Sequence, residues 1–565
     1  MSEAPADEVR TADPGTGAAA VPGDHRWAVL GIVLAVLLMV VLDAEVTAVL
    51  GPALVKDLGF GITSVNISVA LVWMFTAVLL ILAGDAADRF GRRRLFLWAS
   101  GLYLLSGLLS GLGPDAVTFF AGRALLGAAM AAIATAGVAL LNAVFTGGRD
   151  RSIAFGCYAA VLGGATGIAP LFGGLVVRYG SWRLAFLIPV GVTALCLPLG
   201  FKYLPGTRRS EGGHGLAVSG TILFAVGLGA LLMLLQLGGD YGWWKPTRQL
   251  AFAGVDWPSG AVSITPVLMA VAVVSLVAFA LEERARYRKG LSVLIRIDLW
   301  KRPVFRLSNI VAFFFIFGPF AMTLVVPIFT GIALKLDPLQ TGLMLLPFGL
   351  AVAIFGLVAT PLAQRHDNVW VVNAGMVVIV AGLLLGALAM DPAVVRWALP
   401  VPLFITGAGF GMSFAKITDV AMDAVPEELG GVASGTLLTV RVGAICLGGA
   451  VLSALLLGTA VPRATSEIDA LAELHPSDRQ EIVGLLHSTA NAPAGSTSSG
   501  RDDGTTIDDV ASDPALEHGA VDIEGAYVWS TRLVFAVSAL LVLIGLVFGH
   551  RLARAARSVP IEQRS

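Results

Sequence analysis

Ionisable residues sit inside long apolar stretches, where an unpaired charge is expensive. Among them are Asp43 and Glu45 in LDAEVTAVLGP, Arg123 in GRALLGAAMA and Arg441 in TVRVGAICLGG. A carboxylate in such a place can neutralise a buried cation, or it can take up and release a proton. Burial favours its neutral form and a neighbouring arginine its charged form. Counting at 1.5 Å per helical residue, Asp43 is roughly 13 Å from Pro52 at the outer end of its motif and Arg123 roughly 9 Å from the start of its stretch, so the two can meet as a pair. Glu45 lies about 200° round a helix from Asp43 and need not share its site; the wet end of a span accounts for it equally. Further along, Lys416 and Asp419 are spaced i, i+3, which pairs them on one helix face. With Arg441, Lys416 makes a positively charged set that suits an anionic or zwitterionic ligand, unless Asp419 neutralises one of the cations. Every one of these residues also has a purely structural reading, as a pairing group inside packed helices.

Other chemistry is missing from the sequence. Its three cysteines, Cys157, Cys196 and Cys446, all fall in apolar stretches, and no CxxC occurs. No zinc-ligand spacing, GxxxxGK[ST] loop or nucleophile elbow is present, which argues against an enzyme, an ATP-driven machine or a bound cofactor. An ion gradient is the remaining energy source, worth about 2.3 kcal/mol per charge per 100 mV. A net charge of −1 gives no footprint for nucleic acid.

The elements that hold these residues must be membrane helices. The 565 residues are 56% hydrophobic and 14% charged, too few charges to cover a soluble protein of this size. Fourteen stretches approach the roughly 20 apolar residues of a span. They run 27–50, 62–83, 95–113, 117–140, 153–177, 184–204, 216–238, 260–281, 307–330, 340–363, 369–390, 397–420, 432–458 and 528–549. Alternate loops carry the arginines: Arg89 and Arg92 to Arg94, Arg149 and Arg151, Arg208 and Arg209, Arg284 to Arg306, and the tail after Arg551. That asymmetry puts both termini in the cytoplasm of a plasma-membrane protein. Trp27, Trp243, Trp244 and Trp397 fall near the expected interfaces. The domain organisation read from this pattern is a disordered tail (1–26), a six-span bundle (27–210), a two-span insert with its linker (211–299), a second six-span bundle (300–549) and a basic tail (550–565). The second bundle contains an exterior polar segment at 460–527.

The loop LAGDAADRFGRRR, Leu82 to Arg94, holds four arginines and two aspartates between two spans. Its core GDAADRFGRR resembles the G-x-L-A-D-R-x-G-R-R/K loop of the major facilitator superfamily, with Gly84, Asp88, Arg89, Gly91, Arg92 and Arg93 in place and Ala86 where leucine is usual. Within that superfamily the chain is similar to the fourteen-span drug:proton antiporters, the multidrug and antibiotic exporters. LDAEVTAVLGP resembles their span 1 motif, with Glu45 in place of threonine. GGATGIAPLFGG resembles their span 5 antiporter motif at Gly167, Pro170, Gly173 and Gly174, with Ala169 where glycine is usual. The pattern W-R-x-x-F is met by Trp182, Arg183 and Phe186, and ELGGVASGTLLTVRVGAICLGG resembles the start of span 13.

The resemblance implies an all-α polytopic fold of two six-helix bundles plus a two-helix insert, 14 transmembrane helices in all. It implies proton-coupled export of amphipathic drugs, dyes or antibiotics by alternating access, with the Asp88 loop as a gate and with Asp43, Glu45, Arg123, Lys416, Asp419 and Arg441 along the translocation path. Small amphipathic molecules, protons and membrane lipid are the expected partners, and the single chain, holding both bundles, is expected to work as a monomer. Transport of one specific metabolite and a non-transporting sensor of the same fold remain as alternatives. Aromatics such as Trp73, Phe75, Phe313 to Phe315, Phe348, Phe410 and Phe414 either line a cavity for flat lipophilic molecules or face core and lipid; spacing does not separate the two.

Overall fold

The computed structural model describes residues 23–58, 62–145, 148–206, 218–241, 263–289, 297–332, 338–390, 398–425, 430–470 and 517–557, with a few single residues and two short strands between them. The expected tail before residue 23, the linker 207–217, most of the exterior segment (471–516) and the last eight residues lie outside the described residues.

Long apolar runs with few internal breakers fold as helices, because a helix satisfies its own backbone where water is absent. The first half holds α1 (Gly23–Val49), α2 (Gly51–Leu58), α3 (Ile62–Phe90), α4 (Arg92–Leu112), α5 (Ala116–Val144), α6 (Gly148–Tyr179) and α7 (Leu184–Tyr203). A hairpin follows, α8 (Val218–Tyr241) and α9 (Ile264–Arg288), with a two-residue antiparallel ladder, β1 (Ala251–Phe252) and β2 (Val255–Asp256), between its helices. The second half holds α10 (Ile297–Lys301), α11 (Pro303–Phe315), α12 (Phe317–Ile332), α13 (Pro338–His366), α14 (Asn368–Ala389), α15 (Pro400–Asp423), α16 (Gly430–Ala470) and α17 (Glu517–Arg557).

Among the described residues, 11 helical stretches are long and apolar enough to cross a membrane, or 12 when the bent halves of α6 count as one span. Helices also occupy the two other expected positions, α3 and α8, with shorter described apolar stretches at Ile67–Leu80 and Ser219–Leu234. The chain is thus an all-α polytopic membrane protein.

The span expected at 307–330 is present as the apolar stretch Pro303–Pro327, divided by a one-residue turn at Ile316 into α11 and α12; Pro319, without an N–H, cannot bond back to the Phe315 carbonyl. One boundary is corrected. The segment expected as an exterior loop from 460 is helical at both ends, since α16 continues to Ala470 and α17 begins at Glu517.

Each half buries its own core. Val33, Val36, Val40, Tyr103, Leu126, Ile133 and Leu140 cluster in the first, and Phe305, Phe315, Met322, Phe329, Ile379, Leu383, Phe535 and Val542 in the second. The halves meet along two seams, α6 on α13 and α3 on α16. The α8–α9 hairpin packs by α8 against both α3 and α16, while α9 turns Val267, Val273, Val274, Val277 and Leu281 outward, as a lipid-facing helix does.

Candidate functional site

Asp43 and Arg123 form the expected pair. The Arg123 Nη1 donates to Asp43 Oδ1 at 2.7 Å, and both side chains are fully shielded from solvent. The remaining donors of the guanidinium go to Ser110 Oγ, at 2.7 Å from Nη2 and 3.2 Å from Nε, while Nη1 also reaches Thr47 Oγ1 at 3.3 Å. Its charged carbon sits 4.6 Å from the ring centre of Phe186 and 5.4 Å from that of Phe119. Tyr103, whose hydroxyl donates to the Met39 carbonyl at 3.2 Å, closes the other side of the carboxylate. The pair therefore sits where α1, α4, α5 and α7 meet, inside the first bundle. One polar atom is left over: Asp43 Oδ2 is buried with no hydrogen bond.

Glu45 is different. It is half-buried, and no hydrogen bond or ion pair to it is found among the described residues. Projecting about 200° from Asp43 on α1, it points away from the α4, α5 and α7 packing that surrounds the pair.

In the second half the structure separates two cations that the sequence leaves together. Lys416 Nζ donates to Asp419 Oδ2 at 2.8 Å on one face of α15. Both line a cavity of about 310 Å³ with Arg151 and Phe155 of α6, Gln364 of α13, Asn368 of α14 and Asp423. Arg441 meets the opposite face of α15. Its Nη2 donates to the Phe414 carbonyl at 3.1 Å and to Thr418 Oγ1 at 2.8 Å, and its guanidinium lies 4.4 Å from the Phe414 ring centre. The i, i+3 spacing of Lys416 and Asp419 gives their pairing and not the face on which they lie, so their distance from Arg441 is not legible in it.

The Asp88 loop is the junction of α3 and α4. Gly91 has φ 90°, a conformation that favours glycine and breaks the helix there. Arg92 donates to the Ala139 carbonyl of α5 at 3.1 Å and Arg93 to the Phe201 carbonyl of α7, so both fasten the start of α4 within its own bundle. Gly84 is buried, Arg89 is half-buried, and the side chain of Asp88 lies outside the described residues.

The α6 motif builds a seam. The helix bends by 47° between Ile153–Ala165 and Gly167–Tyr179, a break four residues before Pro170. There the proline ring crowds the carbonyl at i−4 and offers it no N–H. A Cβ at Gly167 would come within 2.8 Å of the Gly349 Cα of α13, and one at Gly173 within 2.8 Å of Val46 of α1. Gly174 is buried beside them.

The groups that sequence reading missed are the small polar ones: Ser110, Thr47 and Tyr103 around the pair, Tyr158 within electrostatic reach of Arg441, and Arg151 and Asp423 in the cavity. Ser106 and Ser110, at i, i+4 on α4, were the available signal. Ser106 Oγ donates to the Gly122 carbonyl at 2.8 Å, so this stripe faces α5 and its arginine.

Comparison with known proteins bears on this arrangement. The chain is 32% identical over 420 residues to the "Puromycin resistance protein pur8" of Streptomyces alboniger, covering 73% of this chain and 78% of that one. It is 28% identical over 467 residues to the "Probable actinorhodin transporter" of Streptomyces coelicolor (80% and 76% covered). It is 27% identical over 505 residues to the "Tetracenomycin C resistance and export protein" of Streptomyces glaucescens (88% and 89% covered). The fold is similar to that of the human organic anion transporter MFSD10 (TETRAN), with a TM-score of 0.53 at 14% identity over 92% of this chain and 99% of that one. The profile of the Major Facilitator Superfamily matches residues 33–449, and the chain, whose two helical halves each bury a core of their own, belongs to that superfamily of transporters.

Proposed function

We propose that the protein exports small amphipathic molecules, antibiotics among them, in exchange for protons. It works by alternating access between two six-span bundles. Both termini are cytoplasmic, all fourteen helices at the expected positions span the plasma membrane, and one chain suffices. Relatives named for resistance to puromycin and for export of tetracenomycin C support the class of substrate. The excess of arginine on alternate loops supports the orientation. The energy source is the proton gradient, with no resident cofactor.

The observation that carries this reading is the Asp43–Arg123 pair, sealed at zero exposure with Asp43 Oδ2 unbonded. Removing two charges from water costs several kcal/mol per ion, and a good ion pair offsets this only in part. A proton arriving on Oδ2 neutralises the carboxylate and leaves Arg123 as a buried cation with neutral partners: two hydroxyls, the Asp43 backbone carbonyl at 3.4 Å and two rings. That state favours any rearrangement that hydrates the arginine or gives it a new anion. Protonation is thereby coupled to movement of α1 against α4, α5 and α7. Glu45, half-buried and with no hydrogen bond or ion pair among the described residues, is the first acceptor for protons from the aqueous side. The Asp88 loop holds the basic ends of α3 and α4 in register while the bundles rock.

The test uses purified protein in liposomes with an imposed pH gradient, acidic inside, and a cationic dye outside. Dye accumulation that collapses with the gradient and is lost in Asp43→Asn is the expected result. A wild-type protein that moves no cationic, neutral or anionic probe along any gradient would sink the reading.

A further inference from the structure

We infer that the face built by Phe410, Phe414 and Arg441 on the side of the second half that meets α6 binds a planar aromatic substrate, with Arg441 holding its acidic group. This rests on reading the chain as a small-molecule exporter, and it names the substrate class.

Among the described residues two arginines are buried, and their surroundings differ. Arg123 has Asp43 at 2.7 Å. Arg441 is 4% exposed, and no carboxylate pairs with it among the described residues. One of its nitrogens, Nη2, makes the two bonds to α15; its Nε is buried with no partner at all. A guanidinium is charged at every physiological pH and carries five N–H donors, so this one lacks a counter-charge among the described residues and an acceptor for its Nε. An anion placed there would supply both, through charge-assisted hydrogen bonds that arginine makes well to carboxylates and other planar oxyanions.

The surroundings specify the rest of the ligand. Phe410 stacks nearly parallel to Phe315 (5.6 Å, 21°) and to Phe348 (6.4 Å, 19°), and it meets Phe414 at 5.3 Å. Phe414 in turn carries the Arg441 guanidinium. This is a continuous run of aromatic surface that ends at an unsatisfied cation. It also faces the other bundle: a Cβ at Gly163 of α6 would lie 3.5 Å from Phe410 Cε1. The run thus lies at the α6–α13 seam, where rocking of the bundles would uncover it. Flat apolar surface with one cation at its end fits a flat aromatic molecule with one anionic group.

The test is equilibrium binding without any pH gradient, using full-length protein in detergent and three probes of one shape: naphthoate, naphthalenemethanol and naphthylmethylammonium. The wild type is expected to bind the anion at least about tenfold more tightly than the alcohol, the worth of one charge-assisted contact, and the ammonium weakest. Arg441→Gln should erase the preference while alcohol binding stays within about twofold, and Arg441→Lys should restore part of it. Phe414→Leu should weaken all three probes together. Equal wild-type affinity for the three, or preference for the ammonium, overturns the inference, as does a parallel loss of all three in Arg441→Gln protein that runs as a monodisperse peak. Should Arg441→Gln not fold, the wild-type preference and Arg441→Lys decide alone. Anion preference without gradient-driven transport would leave this site standing and remove the antiport reading. Gradient-driven movement of cationic dye by a protein with no anion preference would do the reverse.

Discussion

Arg123 is an ion trapped with its counter-ion, and that makes its neighbours' roles separable. Replacing Asp43 by Asn keeps the shape but leaves the arginine without a charge partner, which in buried sites costs about 3–5 kcal/mol. Asp43→Asn should therefore lower the thermal midpoint sharply, and the double variant Asp43→Asn with Arg123→Met should regain much of the loss while staying transport-dead. A double variant no more stable than the single one would mean that the pair is not what holds α1 to α5. Glu45→Gln is the contrast: with no partner to lose, it should change stability by less than about 0.5 kcal/mol, yet alter gradient-driven flux. Flux unchanged in Glu45→Gln would remove Glu45 from the proton route. At the loop before α5, Asp115 caps the helix by accepting from the Thr118 N–H at 2.8 Å, which lowers its pKa. Its contribution is thus present above the unfolded-state value and is lost as pH falls through the lowered one. Hydrogen exchange at Thr118 should speed up over that acidic range in the wild type and be fast at all pH in Asp115→Ala. The charged members of the site were legible because an ionisable side chain in a span stands out by type and by depth. Ser110 and Thr47 were not, because a hydroxyl in a helix reads the same whether it bonds its own backbone or a neighbour's arginine.

Elements were legible where apolar length decides and illegible where packing does. The helices fall at the expected spans because twenty apolar residues in lipid have few other options. The ends of α16 and α17 lie beyond the apolar stretches, in polar turns such as RATSEIDA of α16 that carry no hydropathy signal. The glycine seam of α6 was legible only on one side. The motif gave Gly167, and nothing in the sequence named Gly349 as its counterpart. That contact sets a prediction at this scale. At Gly167 an added methyl meets backbone at 2.8 Å, while at Gly164 it meets only the Gly349 carbonyl at 3.9 Å, an ordinary contact. Backbone cannot retreat as a flexible side-chain tip can, so Gly167→Val should push α6 and α13 apart. Gly167→Val should fold and insert yet lose most gradient-driven flux, and Gly164→Ala should transport within about twofold of wild type, as a substitution that strains no neighbour does. Equal flux in the two would show that the close approach has no part in the cycle.

At the scale of the molecule, the open matter is which body the α8–α9 hairpin belongs to. It touches both sides of the α3–α16 seam, so it cannot move freely with both. The packing is unequal. Met233 of α8 and Ile264 and Leu268 of α9 join a cluster made wholly of first-half residues, with Val46, Leu50, Ile67, Phe119 and Phe186. Against α16 the hairpin's contact is narrower, through Leu228 and Leu232 beside Leu438 and Val442. Packed interiors move as units, so the hairpin should travel with the first bundle and slide on α16. A Cβ at Gly229 lies 3.5 Å from Met74 Sδ and 3.8 Å from its Cγ, so α8 and α3 touch there and a short bifunctional thiol reagent can join cysteines at the two positions. In a background with Cys157, Cys196 and Cys446 replaced by serine, bridging Gly229→Cys to Met74→Cys with that reagent should leave dye flux intact, because both residues ride on one body. Oxidising Gly163→Cys with Val352→Cys, which joins α6 to α13 across the other seam, should stop flux until a reductant is added. Flux arrested by the first bridge would mean that α8 shifts against α3 in each cycle, and the hairpin would then be a moving part of the α3–α16 gate and not a flank of the first bundle.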